Sequence, residues 1–137
     1  MPGMEAASIF TDLRRQEAVS AKRLYAIDAA CTPSSPVTDV QALTRVAVAA
    51  VQAGGGHVLD TSDVVFPNGA ITLVLILAES HLSIHTWPEE SLIAIDLFSC
   101  GAIDGQRVLT QLTEALHLEN VSMTLIERGL PPPDASP

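Results

Sequence analysis

A chain of 137 residues that is 47% hydrophobic is one domain long and carries enough apolar side chain to bury a core. Seven Lys plus Arg against 16 Asp plus Glu give a net charge of −9, which argues against nucleic acid or an anionic membrane as partner and favours cationic small molecules. The apolar run AITLVLILA at 70–78 falls far short of the roughly 20 residues a spanning helix needs, and no basic-then-apolar signal pattern opens the chain, so the expected location is the cytoplasm. Cys31 and Cys100 have neither metal-type spacing nor the makings of a disulfide framework, and reduced thiols are expected.

Residues 1–20 hold Ile9, Phe10 and Leu13 among charges, a pattern that fits either a short amphipathic helix or an extended arm. KRLYAIDAAC (22–31) alternates as a first strand, and TPSSPVTD (32–39) is a loop ending in Asp39, a helix cap. In the helix that follows, Leu43, Val46, Ala47, Ala50 and Val51 recur at helical spacing until Gly54, Gly55 and Gly56 end it. HVLDTSDVVF (57–66) reads as a second strand, PNG (67–69) as a turn, and AITLVLILAES (70–80) as a third strand.

Two more strands, LSIHTW (82–87) and SLIAIDLFS (91–99), meet at PEE, and their apolar content on both faces predicts burial on both sides for part of their length. A second helix is expected from about Gln106 to His117, capped by Asp104, with Val108, Leu109, Leu112, Ala115 and Leu116 on one face. VSMTLIER (121–128) is the last strand, and the proline-rich GLPPPDASP (129–137) is an exposed tail. The order β-α-β-β-β-β-α-β over residues 21–128 predicts an α+β fold, a two-layer α/β sandwich whose mostly antiparallel sheet carries two helices on one face.

The stretch AESHLSIHTWPEE (78–90) concentrates reactive groups between aliphatic runs. As strand residues four apart, His81 and His85 lie about 13 Å from one another, too far to share a metal ion. Taken singly, His85 reads as a hydrogen-bonded structural residue, Cys100 as a small buried hydrophobe and Ser80 as a strand-end cap. A hydrolase nucleophile at Ser80 would lack the flanking glycines of G-x-S-x-G.

Taken together, ESHLSIHTWPE (79–89) and AIDLFSCG (94–101) closely resemble the self-processing region of bacterial S-adenosylmethionine decarboxylases, pyruvoyl-dependent enzymes of spermidine synthesis. The likeness extends over about residues 21–128. It implies a small α/β sandwich that dimerises and builds its active sites at the interface. It also implies self-cleavage at Glu79–Ser80, with Ser80 converted to a pyruvoyl group that forms a Schiff base with a substrate amine and leaves two chains, 1–79 and 80–137.

By the same resemblance, His85 assists the elimination that follows the first attack. Thr72, where the family commonly carries serine, assists processing, and Cys100 returns a proton to the substrate carbon. Phe66 stacks on the substrate adenine and Glu89 binds the ribose hydroxyls. No metal ligand is implied.

The chain departs from the family pattern where AKRLYAIDAAC (21–31) lacks a GxH signature, where FPNGAIT (66–72) is one residue short, and at Glu90 and Ser91. Relatives of this kind also act on ornithine or arginine, and an added carboxylate at Glu90 offers a partner for such a cationic tail. The readings therefore held open are an S-adenosylmethionine decarboxylase, an ornithine or arginine decarboxylase, a non-processing regulatory relative and a serine hydrolase.

Overall fold

The computed structural model describes residues 22–131, so the N-terminal helix or arm and most of the proline-rich tail lie outside the described residues. Six strands form one sheet: β1 (Lys22–Cys31), β2 (Val58–Val65), β3 (Ile71–Leu77), β4 (Ser80–Trp87), β5 (Leu92–Cys100) and β6 (Leu118–Arg128). Helix α1 (Val40–Ala53) connects β1 to β2, and α2 (Gly105–Ala115) connects β5 to β6. The spatial order is β2-β3-β4-β5-β1-β6 and every neighbouring pair is antiparallel. This is the α+β two-layer architecture that the order of elements predicts.

Period-two alternation decides which face is buried. The register aligns Leu73 with Ile84, Ile84 with Ile95, and Ile95 with Ile27, a row of side chains on one face that runs across four strands. All four are at most 3% exposed. They form one core with Leu43, Ala47, Ala50 and Val51 of α1 and with Val108, Leu109 and Leu112 of α2, so both helices cover the same face. Asp39 caps α1 by accepting from the Gln41 and Ala42 amides, and Asp104 caps α2 by accepting from Arg107. Gly105 is required at the start of α2, because a Cβ there would sit 2.5 Å from the Tyr25 ring.

The other face carries Leu24, Val74, His81, Asp96 and Phe98, all half-buried, with Ile76 and Ile126 at 47% and 43% exposure. Burial on both sides of β4 and β5 is therefore only half realised within the described residues. Boundaries shift by more than one residue in three places. Strand β6 begins at Leu118, three residues before VSMTLIER, and α2 ends at Ala115, with His117 at a φ of 53° closing it. The third correction bears on function: AITLVLILAES is not one strand, because Ala78 and Glu79 make a two-residue turn and Ser80 is the first residue of β4. The turn contains no glycine, proline or asparagine. It is held instead by tertiary contacts, including the Ala78 amide donating to the His57 carbonyl at 2.9 Å.

Candidate active site

Apart from Glu90, the sequence candidates fall into two groups at opposite ends of β4. At the Ser80 end, Glu79, Ser80 and Cys100 line one small cavity of about 130 Å³ together with Lys22, Phe98 and Ser99. The β4–β5 register sets this arrangement by placing Ser80 opposite Ser99, which brings Cys100 beside the turn. The Glu79 carbonyl, on the peptide joining Glu79 to Ser80, accepts from the Cys100 amide at 3.3 Å. Ser80 itself has a φ of 153°, a region that residues with side chains rarely occupy, so this peptide junction is strained.

The Glu79 side chain is wholly buried, which for a carboxylate demands strong partners. Both come from His57: its backbone N–H donates to Oε1 at 3.0 Å, and Nδ1 lies 2.7 Å from Oε2. A carboxylate only accepts, so Nδ1 carries the hydrogen in this contact. Sequence reading missed His57. It lies 22 residues before Glu79, just after a glycine run, and no local spacing marks it.

At the Trp87 end, a larger cleft of about 600 Å³ gathers Phe66, Thr72, His85 and Glu89, with Asn68, Thr86 and Trp87. Thr72 and His85 are cross-strand partners, and the Thr72 hydroxyl lies 3.1 Å from His85 Nδ1. The β2–β3 turn shapes the rim. The Gly69 amide donates to the Phe66 carbonyl at 2.9 Å, and Gly69 takes a φ of +88° that favours glycine. Asn68 donates to Glu89 Oε2 at 3.4 Å, joining that turn to the short 3-10 helix Pro88–Glu90. Asn68 is a second residue that no local spacing singles out. The half-exposed Phe66 ring, the His85 imidazole and the Glu89 carboxylate together offer a stacking surface, a titratable base and an acceptor for hydroxyls.

Five strand residues separate Ser80 from His85, about 16 Å at the usual rise. Within one chain, therefore, His85 and Thr72 do not reach the Ser80 cavity. Glu90 belongs to neither group: it is exposed and lines a shallow groove with Asp28, Asn120 and Ser122. Cys31 borders a separate cavity of about 210 Å³ next to Trp87, and burial pushes its thiol pKa up.

The S-adenosylmethionine decarboxylase family model matches residues 23–129, nearly the whole sheet and both helices. The chain belongs to that family. It is 34% identical over 97 residues to S-adenosylmethionine decarboxylase proenzyme 2 of Bacillus cereus, covering 70% of this chain and 79% of the relative. It is 32% identical over 102 residues to the S-adenosylmethionine decarboxylase proenzyme of Moorella thermoacetica, covering 73% and 82%. The fold resembles that of the adenosylmethionine decarboxylase from Aquifex aeolicus, with a TM-score of 0.71 at 23% identity over 86% of this chain and 98% of that one. Among the described residues, no helix is long and apolar enough to cross a membrane.

Proposed function

We propose that this chain is a proenzyme that cleaves itself between Glu79 and Ser80, generates a pyruvoyl group from Ser80, and decarboxylates S-adenosylmethionine as a dimer. The observation that carries the cleavage reading is the strained Glu79–Ser80 junction, whose carbonyl already accepts from the Cys100 amide. An N–H aimed at a carbonyl oxygen stabilises the negative charge that develops there when a nucleophile adds to the carbon.

The Ser80 hydroxyl attacks the Glu79 carbonyl carbon, the C–N bond breaks, and an ester replaces the amide while the serine nitrogen takes up the proton. A base then removes the Ser80 Cα proton. The Cβ–O bond breaks, and Glu79 departs as a carboxylate at the end of chain 1–79. The remaining dehydroalanine takes up water and loses ammonia, which leaves the pyruvoyl group on chain 80–137. A serine suits this sequence because its oxygen serves first as nucleophile and then as leaving group.

The residues lining the small cavity fit the group. It would lie at position 80 beside the Cys100 thiol, which carries a proton it could return to the substrate carbon. When formed, it supplies an electrophilic carbonyl that captures the substrate amine and takes up the electrons released as carbon dioxide leaves. In the larger cleft, Phe66 offers its ring to the adenine, Glu89 accepts from the ribose hydroxyls, and His85 serves as the base, oriented by Thr72. The cleft's volume suits a ligand of this size, and the chain's charge of −9 suits a cationic sulfonium substrate.

The distance of about 16 Å between Ser80 and His85 supports the dimer. A second copy supplies to each Ser80 cavity the His85, Thr72, Phe66 and Glu89 that its own chain holds too far away. The deciding experiment is the denatured intact mass of the wild-type chain beside Ser80→Ala. Maturation yields fragments 1–79 and 80–137, the second blocked by pyruvoyl, and the variant stays whole. A wild-type chain that stays whole under maturing conditions refutes the reading.

A further inference from the structure

His57 contributes four features around the scissile peptide. Its carbonyl accepts from Ala78, the first turn residue. Its amide and its ring Nδ1 each contact one oxygen of the buried Glu79 carboxylate, at 3.0 and 2.7 Å. Its side chain is 40% exposed while the Glu79 side chain is fully enclosed, so the ring reaches from the surface to the buried carboxylate. Position 79 is thus fixed on two sides, by His57 at its side chain and by the Cys100 amide at its carbonyl.

We propose that His57 is a positioning residue for self-cleavage: its Nδ1–H anchors Glu79 so that the Glu79 carbonyl stays on the Cys100 amide and in reach of the Ser80 hydroxyl. The inference rests on the self-cleavage reading above. The chemical reason is that attack by a hydroxyl on its own preceding carbonyl requires one peptide orientation, and a two-residue turn without glycine or proline does not enforce it. A buried carboxylate does, because releasing it from its two donors would leave a charge unpaired in the interior. After cleavage the same contacts hold residue 79, by then a chain end, at the wall of the cavity rather than across it.

Freshly synthesised full-length chains test this by the time course of intact mass for wild type, His57→Ala, His57→Asn and His57→Gln. Melting temperatures are taken in parallel on a Ser80→Ala background, where no chain cleaves. Asparagine places an amide N–H where Nδ1 stood, whereas glutamine places one at the far ring nitrogen. The expected result is cleavage about tenfold to a hundredfold slower in His57→Ala, the range that misplacing a reacting group produces. His57→Asn regains most of the rate, and His57→Gln does not.

Wild-type cleavage kinetics in His57→Ala would overturn the proposal while leaving self-cleavage intact. So would equal slowing in the alanine and asparagine variants at matched melting temperature, which would assign the effect to ring bulk. If His57→Ala fails to fold, the asparagine–glutamine pair decides in the same way. A wild-type chain that never cleaves overturns both readings.

Discussion

Mixing two inactive variants tests the division of the site between copies. Ser80→Ala removes the proposed nucleophile but keeps His85, Thr72, Phe66 and Glu89; His85→Ala keeps Ser80 and removes the proposed base. If all of these acted within one chain, a mixture would be as inert as its parts. About 16 Å of strand separates the two ends of β4, so in the dimer proposed above each Ser80 would be served by the partner's His85. In a twofold dimer made from equal amounts of both variants, random assortment puts about half of the His85→Ala chains with a Ser80→Ala partner, and each such pair contains one complete site. Co-expression with different tags, followed by intact mass, should therefore show about half of the His85→Ala chains split at Glu79–Ser80 and no cleavage of Ser80→Ala. His85→Ala alone should stall at the ester, which hydroxylamine cleaves. Mixed dimers recovered through both tags with His85→Ala still uncleaved would refute the shared site.

Other outcomes follow from single contacts. Thr72→Val deletes the hydroxyl 3.1 Å from His85 Nδ1 and should slow maturation about twofold to tenfold, the worth of one neutral hydrogen bond, with Thr72→Ser restoring it by the same mass assay. Glu90→Gln should leave the preference for S-adenosylmethionine over ornithine and arginine unchanged in competition assays, because Glu90 lines a groove apart from the Phe66–Glu89 cleft. Ile84→Ala, at a fully buried position in the centre of the sheet, should cost about 2–5 kcal/mol in denaturant unfolding of a Ser80→Ala chain. The Cys31 pKa is raised above its ordinary value of 9.0 by burial, so the folded chain holds that proton more tightly than the unfolded one. Its contribution to stability is complete below pH 9.0 and is lost as pH rises through the folded value; alkylation at neutral pH, followed by peptide mass, should be slower at Cys31 than in the unfolded chain.

Periodicity made most of the architecture legible. The helical recurrence of Leu43, Ala47, Ala50 and Val51 and the alternation of Ile93, Ile95 and Leu97 identify surfaces that must be buried, and the fold buries them. What stayed hidden was held by contacts between residues distant in sequence. The Ala78–Glu79 turn carries none of the usual turn residues and depends on His57, which precedes it by more than twenty positions. Asn68 reads as part of a turn, and only the fold brings it to Glu89. The separation of Ser80 from His85, by contrast, is contained in the sequence. The strand arithmetic that keeps His81 from sharing a metal ion with His85 also keeps Ser80 apart from His85, once Ser80 is known to open the same strand.

A strand is a good place for such chemistry because it works as a ruler. Its length fixes the distance between Ser80 and His85, and in the dimer proposed above a twofold axis would turn that distance into contact. An axis lying between two facing sheets, parallel to them and passing over β4 near Ser83 at right angles to the strand, would reverse the strand and set each Ser80 end against the other copy's His85 end. The two sheets would then meet through the faces that no helix covers, where Leu24, Val74, Ile76 and Phe98 present apolar surface. Closing those faces over one another would bury both sides of β4 and β5, as their sequence demands. It would also exclude water from the reacting groups and form both active sites at once, so that folding, assembly and maturation depend on the same surface.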